Sequence, residues 1–228
     1  LLFSGPPGTG KTLLASRLPG LLPPLGEHEA LEVAAIQSVS GKAPLNSWPQ
    51  RPFRHPHHSA SGPALVGGGS RPQPGEITLA HHGVLFLDEL PEFERRVLEV
   101  LREPLESGEI VIARARDKVR FPARFQLVAA MNPCPCGHLG DPSGRCRCSS
   151  EQIQRYRGKL SGPLLDRIDL HLNVPRETTR LEASAEPGPS SAELAARVVR
   201  ARQQQLARQG CANAHLDLAG VQQHCSLD

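Results

Sequence analysis

The chain contains no apolar run approaching the ~18–20 residues that a membrane-spanning helix needs, which excludes a helical membrane protein. It also has no basic-then-apolar segment at its start, so nothing indicates export, and we expect a cytoplasmic protein. The net charge is small, since 26 Lys and Arg against 23 Asp and Glu give +3. That surplus does not indicate a nucleic-acid partner unless the charges cluster locally.

Cysteine is too sparse for a disulfide-stapled fold, with six residues in 228. Four of the six nevertheless fall close together, at positions 134, 136, 146 and 148. In a reducing compartment such a cluster favours a metal site over disulfides. The other two, Cys211 and Cys225, are isolated, and we expect them to be packing residues.

The composition is that of a globular chain rich in loops. Hydrophobic residues make up 39%, and there are 22 Pro and 21 Gly. The length suits one large domain, or one domain with a small module. Because the chain starts inside an apolar run without an initiator Met, we expect a fragment of a longer protein.

Apolar runs alternate with helical periodicities along the sequence, which predicts an α/β fold with a mostly parallel sheet between helices. Strands are predicted at 1–4, 76–80, 84–87, 110–113, 119–121, 125–131 and 168–174. Helices are predicted at 11–18, with Leu13, Leu14 and Leu18 as the apolar face, and at 27–39, 91–105, 150–160 and 191–209. The predicted domains are a core at 1–176 with a cysteine-rich insertion at 133–150, a linker at 177–190 and a helical segment at 191–228.

Residues 5–12, which we name the phosphate loop, match the pattern G-x-x-x-x-G-K-[ST] between an apolar strand and a helix. They are Gly5, Pro6, Pro7, Gly8, Thr9, Gly10, Lys11 and Thr12. Backbone amides of such a loop point at a phosphate, and the helix N-terminus adds partial positive charge. We expect Lys11 to reach the β- and γ-phosphates and Thr12 to bind Mg²⁺. The alternative is a chance glycine-rich turn.

Two adjacent acids, Asp88 and Glu89, follow the apolar run 84–87. We expect Asp88 to hold Mg²⁺ through water, and Glu89 to orient and polarise the attacking water. Adjacent side chains on a strand point to opposite faces, which would separate the two roles. Alternatively, the acids cap a helix that starts near Pro91.

Asn132 comes at the end of the predicted strand 125–131. An amide at this position can bridge the γ-phosphate and the attacking water, and so report whether the phosphate is present. Asn132-Pro133 is also a common turn dipeptide, and the two interpretations are compatible.

Taken in order, the phosphate loop, Leu87-Asp88-Glu89, Asn132 and Leu164-Leu165-Asp166-Arg167 resemble the AAA+ ATPases. The segments 74–93 and 121–137 are most similar to the magnesium-chelatase motor branch, and within it to the ComM/YifB family of competence-related proteins. The resemblance covers nearly the whole chain. It implies a three-layer P-loop NTPase core with β-hairpin insertions and the start of a helical lid, which binds ATP and Mg²⁺ at the interfaces of a homo-hexamer.

On the same resemblance Arg167 is the arginine finger that reaches the neighbouring subunit's γ-phosphate. The alternative is a surface Arg paired with Asp166 or Asp169. The family's second sensor arginine lies in the C-terminal lid, and no position here matches it. The family's N-terminal domain is likewise absent, so we expect the fragment to bind nucleotide poorly or to fail to form rings.

ComM-like proteins resemble DNA motors that drive branch migration during natural transformation. The resemblance therefore implies an ATP-hydrolysing helicase acting on single-stranded or branched DNA. Two alternatives stay open. One is a chelatase-type motor that remodels a protein partner inserting Mg²⁺ into a porphyrin, and the other is an inactive nucleotide-dependent regulator.

A basic stretch supports the DNA hypothesis. It contains Arg114, Arg116, Lys118, Arg120 and Arg124 against a single acid, Asp117. A hairpin carrying these residues into the channel of a ring would track DNA phosphates through charge. Arg124 alternatively serves the nucleotide interface. The arginines of the helix at 191–209 are interpreted as a solvated face.

The four clustered cysteines, Cys134, Cys136, Cys146 and Cys148, can surround Zn²⁺ tetrahedrally, and a short loop needs such a staple to become ordered. His138 can substitute for one thiolate, and free or redox-paired thiols are the alternative. Zinc with four protein ligands would leave no open position for catalysis. Prolines interrupt the histidines at 55, 57 and 58, and with those at 81 and 82 they indicate a metal only weakly.

Overall fold

A computed structural model gives the structure of the chain and describes residues 1–41, 50–69, 72–113, 118–141, 144–176 and 188–225. The chain divides into two compact units. The first comprises Leu1–Pro19 and Pro24–Arg180, and the second Gly20–Pro23 and Leu181–Asp228. Within the described ranges, every helix is too short or too polar to cross a lipid bilayer.

The strands are β1 Leu2–Ser4, β2 Phe53–Arg54, β3 Gly67–Gly68, β4 Gln73–Pro74, β5 Val84–Leu87, β6 Glu109–Ala113, β7 Lys118–Pro122, β8 Gln126–Met131 and β9 His171–Asn173. The helices are α1 Lys11–Arg17, α2 Glu27–Val39, α3 Gly62–Val66, α4 Glu76–Leu79, α5 Arg95–Glu99, α6 Arg102–Ser107, α7 Ser150–Arg157, α8 Gly162–Leu165, α9 Ser191–Gln209 and α10 Leu218–His224. Short 3₁₀ helices lie at Leu18–Leu21, Leu90–Glu92 and Asn213–His215.

The main sheet has five parallel strands in the order β2-β5-β8-β1-β9. Its register places Leu2 beside Ala129 and Val84 beside Gln126. Because all five strands run in the same direction, their carboxyl ends meet at one edge, where ligands bind in sheets of this kind. The predicted α/β P-loop core with a parallel sheet is confirmed.

The core of the first unit is built on β5. All four residues of β5 are fully buried, as expected of a strand covered on both faces. Phe86 stacks on Phe53 of the edge strand β2, with ring centroids 6.2 Å apart. Four apolar residues of the segment 91–105 are buried against the same core, namely Phe93, Val97, Leu98 and Leu101.

Strands β6 and β7 form the predicted antiparallel hairpin, with Ile110 beside Phe121 and Ala113 beside Lys118. Ile110 and Ile112 are buried, whereas Lys118 and Arg120 on β7 are exposed. The hairpin therefore packs an apolar side on the protein and presents a basic side outward. Its tip, with Arg114 and Arg116, lies outside the described residues.

In the second unit, α9 has the predicted bounds. Ser190 accepts a hydrogen bond from the amide of Glu193, whose carboxylate accepts the Ser190 amide in return, a capping box. Gly210, with φ 76°, ends the helix in the left-handed conformation. The predicted linker at 177–190 is described only from residue 188, so its boundaries stay a prediction.

Two predicted elements are wrong. Residues 76–80 form the short helix α4 instead of a strand, with Ile77, Thr78 and Leu79 all buried. A strand there has no place, because β2 and β8 already occupy both sides of β5. The helix predicted at 91–105 is divided into a 3₁₀ turn, α5 and α6, and extended backbone at Phe93 and Glu94 separates the turn from α5. The break between α5 and α6 follows from Pro104, which lacks an amide hydrogen and whose ring conflicts with a helical carbonyl at position 100.

Helix α1 does not bury the predicted face. Leu13 and Leu14 are 59% and 50% exposed, and the helix instead buries Lys11 and Ala15. The strand predicted at 168–174 is reduced to the three exposed residues of β9. Strand β2, in a Pro-rich stretch, was missed by sequence analysis, because two residues at a sheet edge leave no periodicity to detect.

The stacking of Phe86 on β5 against Phe53 on β2 leads to a stability prediction. Phe86→Ala should lower the free energy of unfolding by about 3–5 kcal/mol, since it leaves a cavity in a fully buried site. Leu31→Ala on α2 is the control, because Leu31 is 59% exposed. Urea denaturation followed by circular dichroism measures both variants, and equal losses would show that β5 does not carry the core.

Candidate nucleotide site at the carboxyl ends of the strands

Three neighbouring strands of the sheet end at the predicted site residues. The phosphate loop follows β1, Asp88 and Glu89 follow β5, and Asn132 follows β8. Since β8 lies between β5 and β1, the three carboxyl ends bring these residues to one edge of the sheet. The structure therefore brings together side chains that are more than 120 positions apart in the chain.

The phosphate loop is anchored at its start and open further on. The amide of Gly5 donates to the Met131 carbonyl at 3.2 Å, and a Cβ at Gly5 would collide with the Val174 carbonyl. Gly8 and Gly10 have φ angles of 77° and 81°, which favour glycine, and nothing lies within 4 Å of a Cβ built on either. Open space therefore lies beside the backbone at both glycines.

Lys11 points back into its own loop. Its Nζ donates to the carbonyls of Gly5 and Pro6, each at 2.7 Å, and lies 3.4 Å from Oδ1 of Asn132. Burial lowers the pKa of Lys11, while the negative charge of Asp88 acts to raise it. The ammonium group is thus held inside the loop, beside Asn132.

Thr12 and Asp88 are in direct contact, since the Thr12 hydroxyl donates to Oδ2 of Asp88 at 2.6 Å. The other carboxylate oxygen of Asp88 accepts the Glu89 amide at 2.9 Å. A hydroxyl beside a carboxylate is an all-oxygen donor set of the type that Mg²⁺ takes, together with water and phosphate oxygens. These residues therefore fit the predicted Mg²⁺ ion.

Glu89 does not lie on a strand, because β5 ends at Leu87. The expected alternation of Asp88 and Glu89 across a strand is therefore wrong, and a left-handed backbone at Glu89 (φ 53°) turns its side chain instead. Such a conformation costs a non-glycine residue of order 1–3 kcal/mol and is typical of functional sites. The capping alternative is not observed for Glu89, whose side chain makes no cap hydrogen bond to the Leu90–Glu92 turn.

His58 contacts Glu89, a role that the sequence did not indicate. Its Nδ1 lies 2.9 Å from Oε2 of Glu89, and its ring meets the edge of Phe93. His58 follows β2, so it reaches the site by the same rule that places Asp88 and Asn132 there. The one sequence feature that could have placed His58 at the site is its position after a strand of the sheet. Using it would have required predicting β2, which the sequence does not reveal.

Arg167, the predicted arginine finger, is paired within the chain. Its guanidinium contacts Glu106 and donates to the Pro163 carbonyl at 2.9 Å. Arg167 is therefore paired with Glu106 of α6, and not with Asp166 or Asp169 as the alternative interpretation had it. Its predicted role toward a neighbouring subunit stays a prediction.

The four clustered cysteines converge. Cys134 Sγ lies 3.4 Å from Cys136 Sγ and 3.8 Å from Cys146 Sγ, and Cys136 and Cys146 are 3.7 Å apart. Cys148 belongs to the same group, whose sulfurs all lie within 4.8 Å of one another. Hydrogen bonds from the backbone of His138 and then of Arg147 lower the pKa of the Cys136 thiol to about 6.

His81 and His82 form a second cluster with Glu32. His82 Nε2 lies 2.6 Å from the Glu32 carboxylate. The backbone amide of Arg124 donates to Nδ1 of His81, so the hydrogen of the neutral ring is on Nε2, which faces Glu32 at 3.3 Å. In this arrangement Glu32, His81 and His82 form a hydrogen-bond network.

Of the residues predicted to contact DNA, the structure describes Lys118 and Arg120. Both are exposed on β7, and Arg120 lies 3.6 Å from Glu109 across the hairpin. Arg114 and Arg116 lie outside the described residues. Arg124 packs its side chain on Gly108, beside the histidine cluster.

Comparisons with known proteins agree with these features. A family profile described as "Magnesium chelatase, subunit ChlI" matches residues 1–181. Over its full length the chain is 55% identical to the competence protein ComM of Haemophilus influenzae and 57% identical to YifB of Escherichia coli, and it spans 45% of each. The magnesium-chelatase 38 kDa subunit of Cereibacter sphaeroides is 32% identical over 52% of this chain and 30% of its own length.

The buried His81 yields a pH prediction. Burial, with the nearby His82, lowers the pKa of His81 to about 4 from 6.5. As the pH falls below 6.5 the unfolded chain gains a proton at this position, but the folded chain does not until about pH 4. The free energy of unfolding should therefore decrease as the pH is lowered from 6.5 to about 4, by at most about 1.4 kcal/mol per pH unit.

The free energy of unfolding measured between pH 7 and pH 5 tests this. The slope should be shallower in His81→Gln than in the wild type and unchanged in the control His57→Gln, whose side chain is exposed. Equal slopes in the three proteins would contradict a neutral, buried His81.

Proposed function

We propose that this chain, which belongs to the magnesium chelatase subunit ChlI family, is the ATP-hydrolysing core of an AAA+ motor that moves DNA. The observation that carries the ATPase part of the proposal is the 2.6 Å hydrogen bond between Thr12 and Asp88. This bond joins the phosphate loop to Asp88 after β5. A Mg²⁺ ion bound to a nucleotide in this loop would use the Thr12 hydroxyl and the Asp88 carboxylate together.

Each residue of the site has a task in hydrolysis of the terminal phosphate of ATP. The loop amides and Lys11 bind the phosphates, for which Lys11 exchanges its bonds to Gly5 and Pro6. Thr12, together with Asp88 through water, would hold Mg²⁺, and the ion would supply neutralising charge at the phosphates. Glu89 orients the attacking water, and Asn132, beside Lys11, bridges the γ-phosphate and that water.

The proposed assembly is a homo-hexamer. The exposed Leu13 and Leu14 of α1, next to the phosphate loop, supply an apolar surface for a neighbouring subunit. Arg167 would act on that neighbour's γ-phosphate after leaving Glu106. Family membership and these two features support the assembly.

The proposed substrate is single-stranded or branched DNA, in branch migration during natural transformation. Two observations support this substrate. They are the similarity to the competence protein ComM and the basic side of the β6–β7 hairpin. The similarity to a magnesium-chelatase subunit favours one second candidate, a motor that remodels a protein partner. That similarity covers only 52% of this chain, so we prefer the DNA motor.

We also infer that Cys134, Cys136, Cys146 and Cys148 bind a structural Zn²⁺. Four sulfurs at ~2.3 Å around a tetrahedral zinc lie ~3.8 Å apart. The spacings among Cys134, Cys136 and Cys146 are 3.4, 3.7 and 3.8 Å, close to that value, and Cys148 lies within 4.8 Å of the other three sulfurs. Thiols kept reduced for zinc suit the cytoplasmic location we propose.

The role of Glu89 is tested by Glu89→Gln. The variant should bind ATP as the wild type does but lose about 10²-fold or more of the ATPase rate, because an amide polarises water poorly. Phosphate release and binding of a fluorescent ATP analogue give the two readouts. Glu94→Gln, an exposed acid five positions later, is the control, and undiminished hydrolysis in Glu89→Gln would remove the water-activating role.

The role of the hairpin in DNA binding is tested by a variant with Arg114, Arg116, Lys118 and Arg120 changed to Ala. Affinity for single-stranded DNA should fall, and the salt dependence of log K should flatten by ~0.7 for each DNA phosphate that the variant no longer neutralises. Arg95→Ala with Arg96→Ala, two exposed arginines on α5, controls for the reduced positive charge. Fluorescence anisotropy at several salt concentrations measures both, and equal slopes would exclude the hairpin.

A further inference from the structure

We propose that the zinc-bound cysteine loop, residues 134–141 and 144–148, forms a wall of the phosphate loop, so that zinc occupancy sets the affinity for nucleotide. This rests on the nucleotide and zinc sites proposed above. The four-cysteine site then acts as a support for the ATP site, although it takes no part in the chemistry.

The first contact is between Gly137 and Pro7. Gly137 follows the zinc ligand Cys136, and its amide donates to the Cys134 carbonyl at 2.9 Å. A Cβ built on Gly137 would lie 2.7 Å from Cδ of Pro7, so the backbone of the cysteine loop touches the phosphate loop directly. The same Cβ would lie 3.7 Å from Asn132 Cγ.

The second contact runs through Arg176. Its Nη2 donates to the Pro7 carbonyl at 3.3 Å, and its Nη1 lies 3.6 Å from Oδ2 of Asp141, in the cysteine loop. The Asp141 side chain is only 2% exposed, and His138 and Arg145 approach it as well. Pro7 is thus held from two sides by groups tied to the cysteine loop.

Besides the four thiols, turns and the ion pairs of Asp141 hold the shape of the cysteine loop. Its described residues form turns, such as that from His138 to Asp141, but no helix or strand. Loss of the four-thiolate staple would therefore release Gly137 and Asp141 together. A smaller fraction of the protein would then have the phosphate loop in its binding-competent shape. The apparent affinity for nucleotide would fall in proportion to that fraction.

Two glycines of the same loop provide a matched test. Gly137 and Gly140 have φ angles of 80° and 79°, so an alanine strains the backbone equally at both. Only Gly137 faces Pro7, whereas nothing lies within 4 Å of a Cβ at Gly140. Gly137→Ala therefore displaces the wall while keeping all four cysteines, and Gly140→Ala controls for strain.

The measurements are zinc content by mass spectrometry and the Kd of a fluorescent ADP analogue in excess Mg²⁺. We expect one zinc in the wild type and in both variants, with the Kd raised about tenfold in Gly137→Ala and within about twofold of wild type in Gly140→Ala. A zinc-selective chelator should raise the wild-type Kd, and added Zn²⁺ should restore it.

The outcomes are distinguishable. Absence of zinc from the wild type overturns the proposed metal, and absence of nucleotide binding overturns the proposed nucleotide site. Zinc present with equal Kd values for the two glycine variants overturns the coupling alone. If Gly137→Ala does not fold, Arg176→Gln decides instead, since it removes the second contact without steric conflict; we expect a raised Kd with zinc retained, against the control Arg155→Gln on the exposed side of α7.

Discussion

The hydrogen bond between the Thr12 hydroxyl and the Asp88 carboxylate is the constraint on which the site depends. It joins residues 76 positions apart and exists because β1 and β5 flank β8 in a parallel sheet. If the pairing of β8 shifted by one residue, Asp88 would move away from the phosphate loop by the rise of one residue along a strand, ~3.3 Å. The fully buried β5 resists such a shift, since its side chains pack on both faces.

Contacts within the chain itself fix the shape of the proposed nucleotide site. Lys11 is already inside the loop and satisfied by two carbonyls, so binding a phosphate replaces hydrogen bonds instead of creating a buried charge. Glu89 is held in a left-handed conformation with its carboxylate against His58. Preorganisation of this kind reduces the ordering that binding would otherwise cost.

Local patterns predicted most of the site, and long-range contacts were out of reach. The phosphate loop, the acids after β5 and the asparagine after β8 each follow a short motif, and α2 and α9 end where their caps and glycines indicate. The strand expected at 76–80 failed because a run of five residues fits one helical turn equally well. His58 and Gly137 contact the site from segments whose place depends on the complete sheet, which no local pattern encodes.

The path of the chain after β8 connects the two proposed ligand sites. β8 delivers Asn132 to Lys11, and two residues later the chain supplies Cys134, which is fully buried. The chain then turns at Gly137 against Pro7, and Asp141 pairs with Arg176, which donates to the Pro7 carbonyl. The segment after β8 thus contacts Lys11 and Pro7 directly and reaches the Pro7 carbonyl through Arg176. The described residues of this loop contain no helix or strand. A cross-link through the four converging thiols would add to the turns and to the ion pairs of Asp141 in fixing the loop beside the proposed nucleotide site.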